Sequence, residues 1–490
     1  MAVSNKRFLH QFIAIATASA VLRFWALNQT PFANGWDSYF YLVQIKSLEE
    51  TGQMHSPEAS LFYPYLQLFY WLAGDYVLAM KTGVAMLCGI FTLLLCRRSQ
   101  SLPLLGAWSL FSPQLTYFAA QYPKNLLGLV LFIAFVRSLD WAFSKQRAWL
   151  VLPAALLIIN YFGHRMMFGL AIGYLIVWLL LTFKNTLPSI SKSTMIKVLV
   201  ALGIAMAAFV LAGQFFPGLA HVLDFERLSG TLSWQPQFAP WSFVQTFGLE
   251  RIGGWWIFEI AIVTIWWIGG LMLWRNRKGI SNPALFWLCS LMLFPFLEWS
   301  LTGLAWRMFL VFVLLVPLSF DFENVPKKAS LVFFILLAAA SFFSWKSYAP
   351  ALQDPDYALY KKITKNVQAH LSESSSDPEL IIAHNALAEY FTFTTGTDAM
   401  PWLPEYQVDS SKLWRIAAGV QGQTLRYFAG PENEKTIKNI GGGYYLLPEF
   451  VWQSALKKAR AESDEYFFEM AESWLNPHRK RPDFLLKRKN

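Results

Sequence analysis

Apolar runs close to the ~20 residues that cross a bilayer as a helix recur along the first two thirds of the chain. They fall at residues 8–27, 76–96, 102–119, 125–143, 148–163, 166–183, 195–216, 255–274, 282–298, 305–320 and 329–346. Between them lie short polar junctions, apart from two long ones. The first, 28–75, contains an amphipathic stretch at 38–51, expected to lie along a membrane surface. It also contains a Pro- and Tyr-rich return at 61–73, apolar enough to dip into one. The second, 217–254, is rich in Gly, Pro and Trp and is expected to form an irregular flap.

After Tyr348-Ala349-Pro350 the pattern changes to that of a water-soluble domain. Residues in PELIIAH, WRIAAGV and GGGYYLLPEF alternate or run apolar as strands do, while NALAEYFTF and the charged 453–475 run have helical spacing. The expected fold class is therefore an α-helical polytopic membrane protein of about eleven spans, residues 1–349, with a small α/β domain at 350–490. Gly441-Gly442-Gly443 precedes a strand and lacks the Lys-Ser/Thr of a phosphate loop. The sequence has neither a His-x-x-x-His pair nor a Gly-x-Ser-x-Gly elbow.

Composition agrees: 55% of the 490 residues are hydrophobic, 15% are charged, and there are 22 Trp and 42 Phe. That balance excludes an ordinary soluble enzyme. The three cysteines, Cys88, Cys96 and Cys289, sit in apolar runs with no ligand spacing. The net charge of +10 does not mark a nucleic-acid surface, because residues 350–490 are nearly neutral and the excess lies at the ends of apolar runs. Lys6, Arg7, Arg97, Arg98, Lys145, Arg147, Lys184, Lys192, Lys197, Arg275, Arg277, Lys278, Lys327 and Lys328 all fall at alternate junctions. Few cations occupy the other side. The positive-inside rule then places the N-terminus in the cytoplasm, and an odd number of spans places the C-terminal domain outside, in the periplasm of a cell with an inner membrane.

Ionisable groups at membrane level are costly to desolvate, so those on the outer rim mark candidate chemistry. Asp37, in Gly-Trp-Asp-Ser-Tyr, has two readings: an N-cap for the helix that follows, or a general base in a cleft of low dielectric. Arg307 opens a span from the outer side. It is either a snorkelling side chain or a guanidinium fork for a lipid phosphate. His164 and Arg165 occupy a very short turn, and Lys124 lies at another outer junction. Glu226 and Asp224 flank the flap, either solvated or as a second acid.

The order of these features resembles the GT-C glycosyltransferases, integral membrane enzymes that take sugars from polyprenyl-phosphate or polyprenyl-diphosphate carriers. The resemblance rests on Arg23-Phe24-Trp25 closing the first apolar run, Asp37 with Tyr39 and Tyr41, Thr51-Gly52, the Pro64-Tyr65 return, Phe111-Ser112-Pro113 and the Arg307-to-Pro317 span. It covers residues 8–320. It implies that Asp37 is the first-loop catalytic acid and that Arg307 meets the lipid phosphate. The sequence departs from the family where protein O-mannosyltransferases and the lipid A aminoarabinose transferase show Asp-Glu and this chain has Asp37-Ser38. The acidic motif of the oligosaccharyltransferase second loop has no counterpart in AAQYPKNL, where Lys124 stands. The Trp-Trp-Asp motif of that enzyme's outer domain is likewise missing.

The expectation is a membrane glycosyltransferase with catalytic Asp37 and Glu226. Its substrate contacts would come from Arg307, Lys124, His164, Arg165, Tyr39 and Tyr65. The partners are a polyprenyl-phosphate-linked donor, an extracytoplasmic acceptor and membrane lipids, with no nucleic acid. An oligosaccharyltransferase or glycan ligase using a diphosphate carrier is the alternative, and a divalent cation (Mg or Mn) held by Asp37 and Glu226 would accompany it. A lipid or sugar-lipid transporter is the alternative from another class, and a non-catalytic scaffold a third.

Overall fold

The structure is a computed structural model. It describes residues 2–56, 58–96, 102–145, 150–186, 282–291, 304–319, 355–373, 378–401, 412–418 and 436–462, with isolated positions at 331, 332, 335 and 352. The flap 217–254, the runs 195–216 and 255–274, and Glu226 lie outside the described residues. In chain order the helices are α1 (Ala2–Leu27), α2 (Ser38–Thr51), α3 (Phe62–Ala73), α4 (Tyr76–Cys96), α5 (Leu102–Phe111), α6 (Pro113–Gln121), α7 (Pro123–Lys145), α8 (Val151–Gly163), α9 (Arg165–Thr186), α10 (Pro283–Leu291), α11 (Leu304–Ser319), α12 (Tyr357–Glu373), α13 (Asn385–Thr395) and α14 (Glu449–Ala461). The strands are β1 (Leu380–Ile382), β2 (Ala399–Met400), β3 (Leu413–Ala418), β4 (Lys438–Gly441) and β5 (Tyr444–Pro448).

These elements form two compact units. The first comprises Met1–Gln29, Pro57–Gly74 and Leu78–Leu352; the second comprises Thr30–Ser56, Asp75–Val77 and Gln353–Asn490.

The first unit is helical. Among the described residues three stretches are long and apolar enough to cross a membrane: His10–Leu27, Tyr76–Cys96 and Pro123–Ala142. Two shorter apolar helices, Val151–Gly163 and Arg165–Leu181, follow them. Helix α7 packs against α8 and α9, and α10 against α9 and α11. Large apolar side chains point outward from these helices, among them Val21, Trp25, Ile158 and Leu180, the last 70% exposed. In water such surfaces would drive association; in lipid they are matched to their solvent.

The apolar run 102–119 is not one helix. Pro113 has no N–H to donate back into α5, so the run breaks at Ser112, whose hydroxyl accepts from Leu115 N–H and starts α6. The carbonyls left over at the end of α5 need donors. Arg23, fully buried on α1, supplies them: its guanidinium donates to Leu110 O at 2.9 Å and to Ser112 O at 3.0 Å. Arg23 is therefore a brace between two helices.

The second unit holds a five-stranded sheet in the order β2-β1-β3-β5-β4. Strand β1 runs parallel to β2 and β3, and β5 runs antiparallel to β3 and β4. Gly441, Gly442 and Gly443 all have positive φ and turn β4 into β5. At Gly442, with φ +62°, a Cβ would lie 2.5 Å from Leu359 Cδ1, so a side chain there would be strained and would have to displace Leu359. Helix α14 covers β3 and β5 with Val451, Trp452, Ala455 and Ala459. Between them Arg415 donates to both oxygens of Glu449, at 2.6 and 2.9 Å, and stacks 4.8 Å from the Trp452 ring centroid. Both charges are buried, and the forked geometry is what makes that burial tolerable.

Helix α2 belongs to this unit. The sequence pattern suggested a helix lying on a membrane surface. Instead Ser38, Tyr39, Tyr41, Leu42, Val43, Gln44 and Ile45 are buried, and α2 packs against α13. The apolar face is consumed by a partner helix more than three hundred residues away in sequence.

Candidate functional site

Two clusters of side chains have the composition of a site, one in each unit.

In the first unit the ends of α3, α7, α8, α9 and α11 meet at a set of charges. Glu58 comes from the loop before α3, Tyr63 from α3 itself, Lys124 from the first turn of α7, His164 and Arg165 from the turn between α8 and α9, and Arg307 from the first turns of α11. Leu61 N–H donates to Phe162 O at 2.8 Å, tying the Glu58 loop to the end of α8. Two glycines permit the close approach. A Cβ on Gly128, one turn along α7 from Lys124, would fall 2.5 Å from His164 Cβ and 2.9 Å from Met167 Cγ; one on Gly163 would fall 2.5 Å from Leu131 Cδ1. Without side chains at those positions α7, α8 and α9 pack tightly enough to bring the turn to Lys124.

Lys124 Nζ donates to one Glu58 carboxylate oxygen and the Tyr63 hydroxyl donates to the other. Lys124 also lies 5.9 Å from the Tyr63 ring centroid, and the Arg307 guanidinium stacks 4.6 Å from that of Tyr122. Burial pushes the Glu58 carboxyl upward, but the charge of Lys124, the hydrogen bonds from Lys124 and Tyr63, and the charge of Arg165 together hold it below its ordinary value. His164 is driven well below the usual histidine range, first by desolvation and then by the positive charges of Lys124, Arg307 and Arg165. The imidazole is therefore neutral at pH 7, and among the described residues its Nδ1 has no hydrogen-bond partner. Among the described residues three cations meet one acid here, an excess of positive charge that suits an anion.

Of the residues singled out from sequence, Lys124, His164, Arg165 and Arg307 are thus gathered together. Tyr65 is not part of the rim chemistry in the same way: its hydroxyl donates to Gly83 O at 2.7 Å and its ring packs 5.1 Å from Phe69. Glu58 and Tyr63 were not anticipated. A signal existed for Glu58, since a lysine at an outer junction calls for an acid on the same face, and SPEASLFYPY contains one.

In the second unit the cluster surrounds Asp37. Asp37 precedes α2 but its side chain makes no capping hydrogen bond, so the N-cap reading does not account for it. The turn before it is held by glycine geometry, with Gly35 at φ 93°, and by Tyr357, whose hydroxyl donates to Gly35 O at 2.8 Å. Two residues after Asp37, Tyr39 is 2% exposed and sits among rings, with centroids 4.6 Å from Tyr357, 4.8 Å from Tyr390 and 5.3 Å from Phe393. Such packing leaves Tyr39 an anchor for the Asp37 turn. Further along α2, Lys46 donates to Phe393 O at 3.0 Å. Burial raises the Tyr357 phenol well above its ordinary value, and negative charge on Glu389 and Asp37 adds to it. Two carboxylates therefore act on one buried hydroxyl.

The cation expected between Asp37 and Glu226 involves a residue outside the described ones; among the described residues there is no group of three or more His, Cys, Asp or Glu side chains arranged for a metal. The sequence matches no protein-family model and no curated protein.

Proposed function

We propose that this protein is a multi-pass membrane glycosyltransferase that moves a sugar from a polyprenyl-phosphate-linked donor to an extracytoplasmic acceptor. The observation that carries the reading is the convergence of Lys124, Arg165, Arg307 and a neutral His164 at helix ends from three separate stretches of sequence. Guanidinium and ammonium groups at a membrane rim match a phosphate joined to a lipid tail, and they stabilise the charge that develops when it leaves.

In this reading the acceptor hydroxyl attacks the anomeric carbon. The bond between that carbon and the phosphate oxygen breaks, and the phosphate departs with both electrons. Asp37 takes the proton from the attacking hydroxyl. A carboxylate that is not committed to capping its helix suits that task. The remaining parts of the proposal are about eleven spans in an inner membrane, a cytoplasmic N-terminus and an outer C-terminal domain. They rest on the alternation of basic junctions and on the resemblance to GT-C enzymes.

The experiment is glycan and lipid-carrier profiling of a null strain complemented with Asp37→Asn, with membrane insertion checked. We expect transfer to fall about 10²- to 10⁴-fold, an unspent lipid-linked sugar and one missing glycan. Full complementation would remove Asp37 from catalysis. Normal glycans with defective movement of a lipid across the membrane would favour a transporter.

A further inference from the structure

Building on that reading, we infer that Glu58 is the internal anion of the phosphate site: it occupies Lys124 in the resting protein and is displaced when a phosphate binds. Glu58 and Lys124 are each partly shielded, with side chains 24% and 14% exposed. The ammonium of Lys124 shares its surroundings with Arg165 and Arg307. An anion must be present to offset this much positive charge, since uncompensated cations in a shielded site are costly. Among the described residues Glu58 fills that place, with one oxygen on Lys124 and the other on the Tyr63 hydroxyl.

A phosphate oxygen and the Glu58 carboxylate want the same donors. Lys124 has three N–H donors and no acceptor, and like charges crowded onto it repel. The loop carrying Glu58 is tied at Leu61 by a backbone hydrogen bond to Phe162 O, and two residues of chain separate that tether from Glu58. Glu58 is therefore both counter-ion and competitor. It weakens phosphate binding and keeps the cations from capturing passing monoanions. Because Lys124, Tyr63 and Arg165 hold its carboxyl ionised, the competition persists across neutral pH.

The consequence is a sign opposite to that of an ordinary binding residue. Glu58→Gln keeps the shape and removes the charge, so it should tighten phosphate binding, by up to about fivefold on the scale of one partly exposed charge pair. Tyr63→Phe releases one of the two holds on the carboxylate and should tighten it in the same direction by a smaller factor. The test uses the full-length protein in phosphatidylcholine nanodiscs, with polyprenyl phosphate of known length as the probe and native mass spectrometry as the readout. A parallel arm titrates inorganic phosphate.

Tighter polyprenyl phosphate binding in both variants, lost on adding Lys124→Ala, supports the assignment. Binding of inorganic phosphate in the same order supports it with the head group alone as ligand; binding of the lipid form only supports it with the lipid-borne phosphate as ligand. Unchanged or weaker binding in Glu58→Gln, with wild type binding normally, overturns it and leaves Glu58 as an orienting partner of Lys124. If neither wild type nor variants bind polyprenyl phosphate, the donor reading fails and this assignment falls with it. Where Glu58→Gln does not insert, Tyr63→Phe alone decides by the direction of its change.

Discussion

The rim of the helical unit and the turn around Asp37 are built on opposite principles. At the rim, Lys124, Arg165 and Arg307 are charges at helix ends and Glu58 an acid in the loop before α3, with glycine-permitted packing behind them. Around Asp37 the supporting groups are neutral rings, buried and fixed, with Tyr39, Tyr357, Tyr390 and Phe393 enclosing the start of α2. The difference fits the two tasks proposed for them. If the rim binds and releases an anion, it needs charge that exchanges one partner for another. If Asp37 meets one hydroxyl, it needs a rigid mount, and aromatic packing provides that.

The largest effect that tests this contrast is at Arg307. Its replacement by alanine should weaken polyprenyl phosphate binding by about 10- to 100-fold, the range of a charge-assisted hydrogen bond. The thermal unfolding midpoint should change little. If instead the midpoint falls and affinity holds, the rim is a structural ion network and the contrast breaks. Glycine 128 comes next. Gly128→Ala places a methyl within 2.5 Å of His164 Cβ, so the α8–α9 turn must shift. We expect a loss of about 1–3 kcal/mol in unfolding experiments, together with weaker phosphate binding. Normal affinity with lowered stability would separate the turn from the anion site.

The smallest effect, and the one that sharpens the comparison most, is at Tyr357. Tyr357→Phe keeps the ring stack and removes only the hydrogen bond to Gly35 O. It should cost about 1 kcal/mol of stability and slow donor consumption a few-fold, measured on membranes from a null strain that has accumulated donor. Affinity for polyprenyl phosphate should stay at the wild-type value. A fall in affinity instead would mean that the rings do more than mount Asp37.

Several parts of this organisation were readable from local pattern. The apolar runs of α1, α4 and α7 carry membrane character in their length alone. The strands β1, β3 and β5 lie where PELIIAH, WRIAAGV and GGGYYLLPEF suggested, and the glycine triplet proved to be a hairpin turn. Lys124, His164, Arg165 and Arg307 were each visible as polar interruptions at helix ends. Their mutual placement was not. Nor was the break at Ser112, because an apolar run of the right length masks a proline that demands two helices and a buried Arg23 to serve them.

The sequence by itself determined a chain dominated by apolar helices, a change to a small mixed sheet after residue 350, and a short list of ionisable groups at the ends of apolar runs. These follow from composition and periodicity, which act over a few turns of chain. Only the tertiary structure decided that α2 joins α13, that Tyr357 holds the turn before Asp37, and that Glu58 is the anion facing Lys124. Those pairings join segments far apart in sequence. Their energies come from burial and from charge compensation in three dimensions, and no local spacing records which distant partner will supply them.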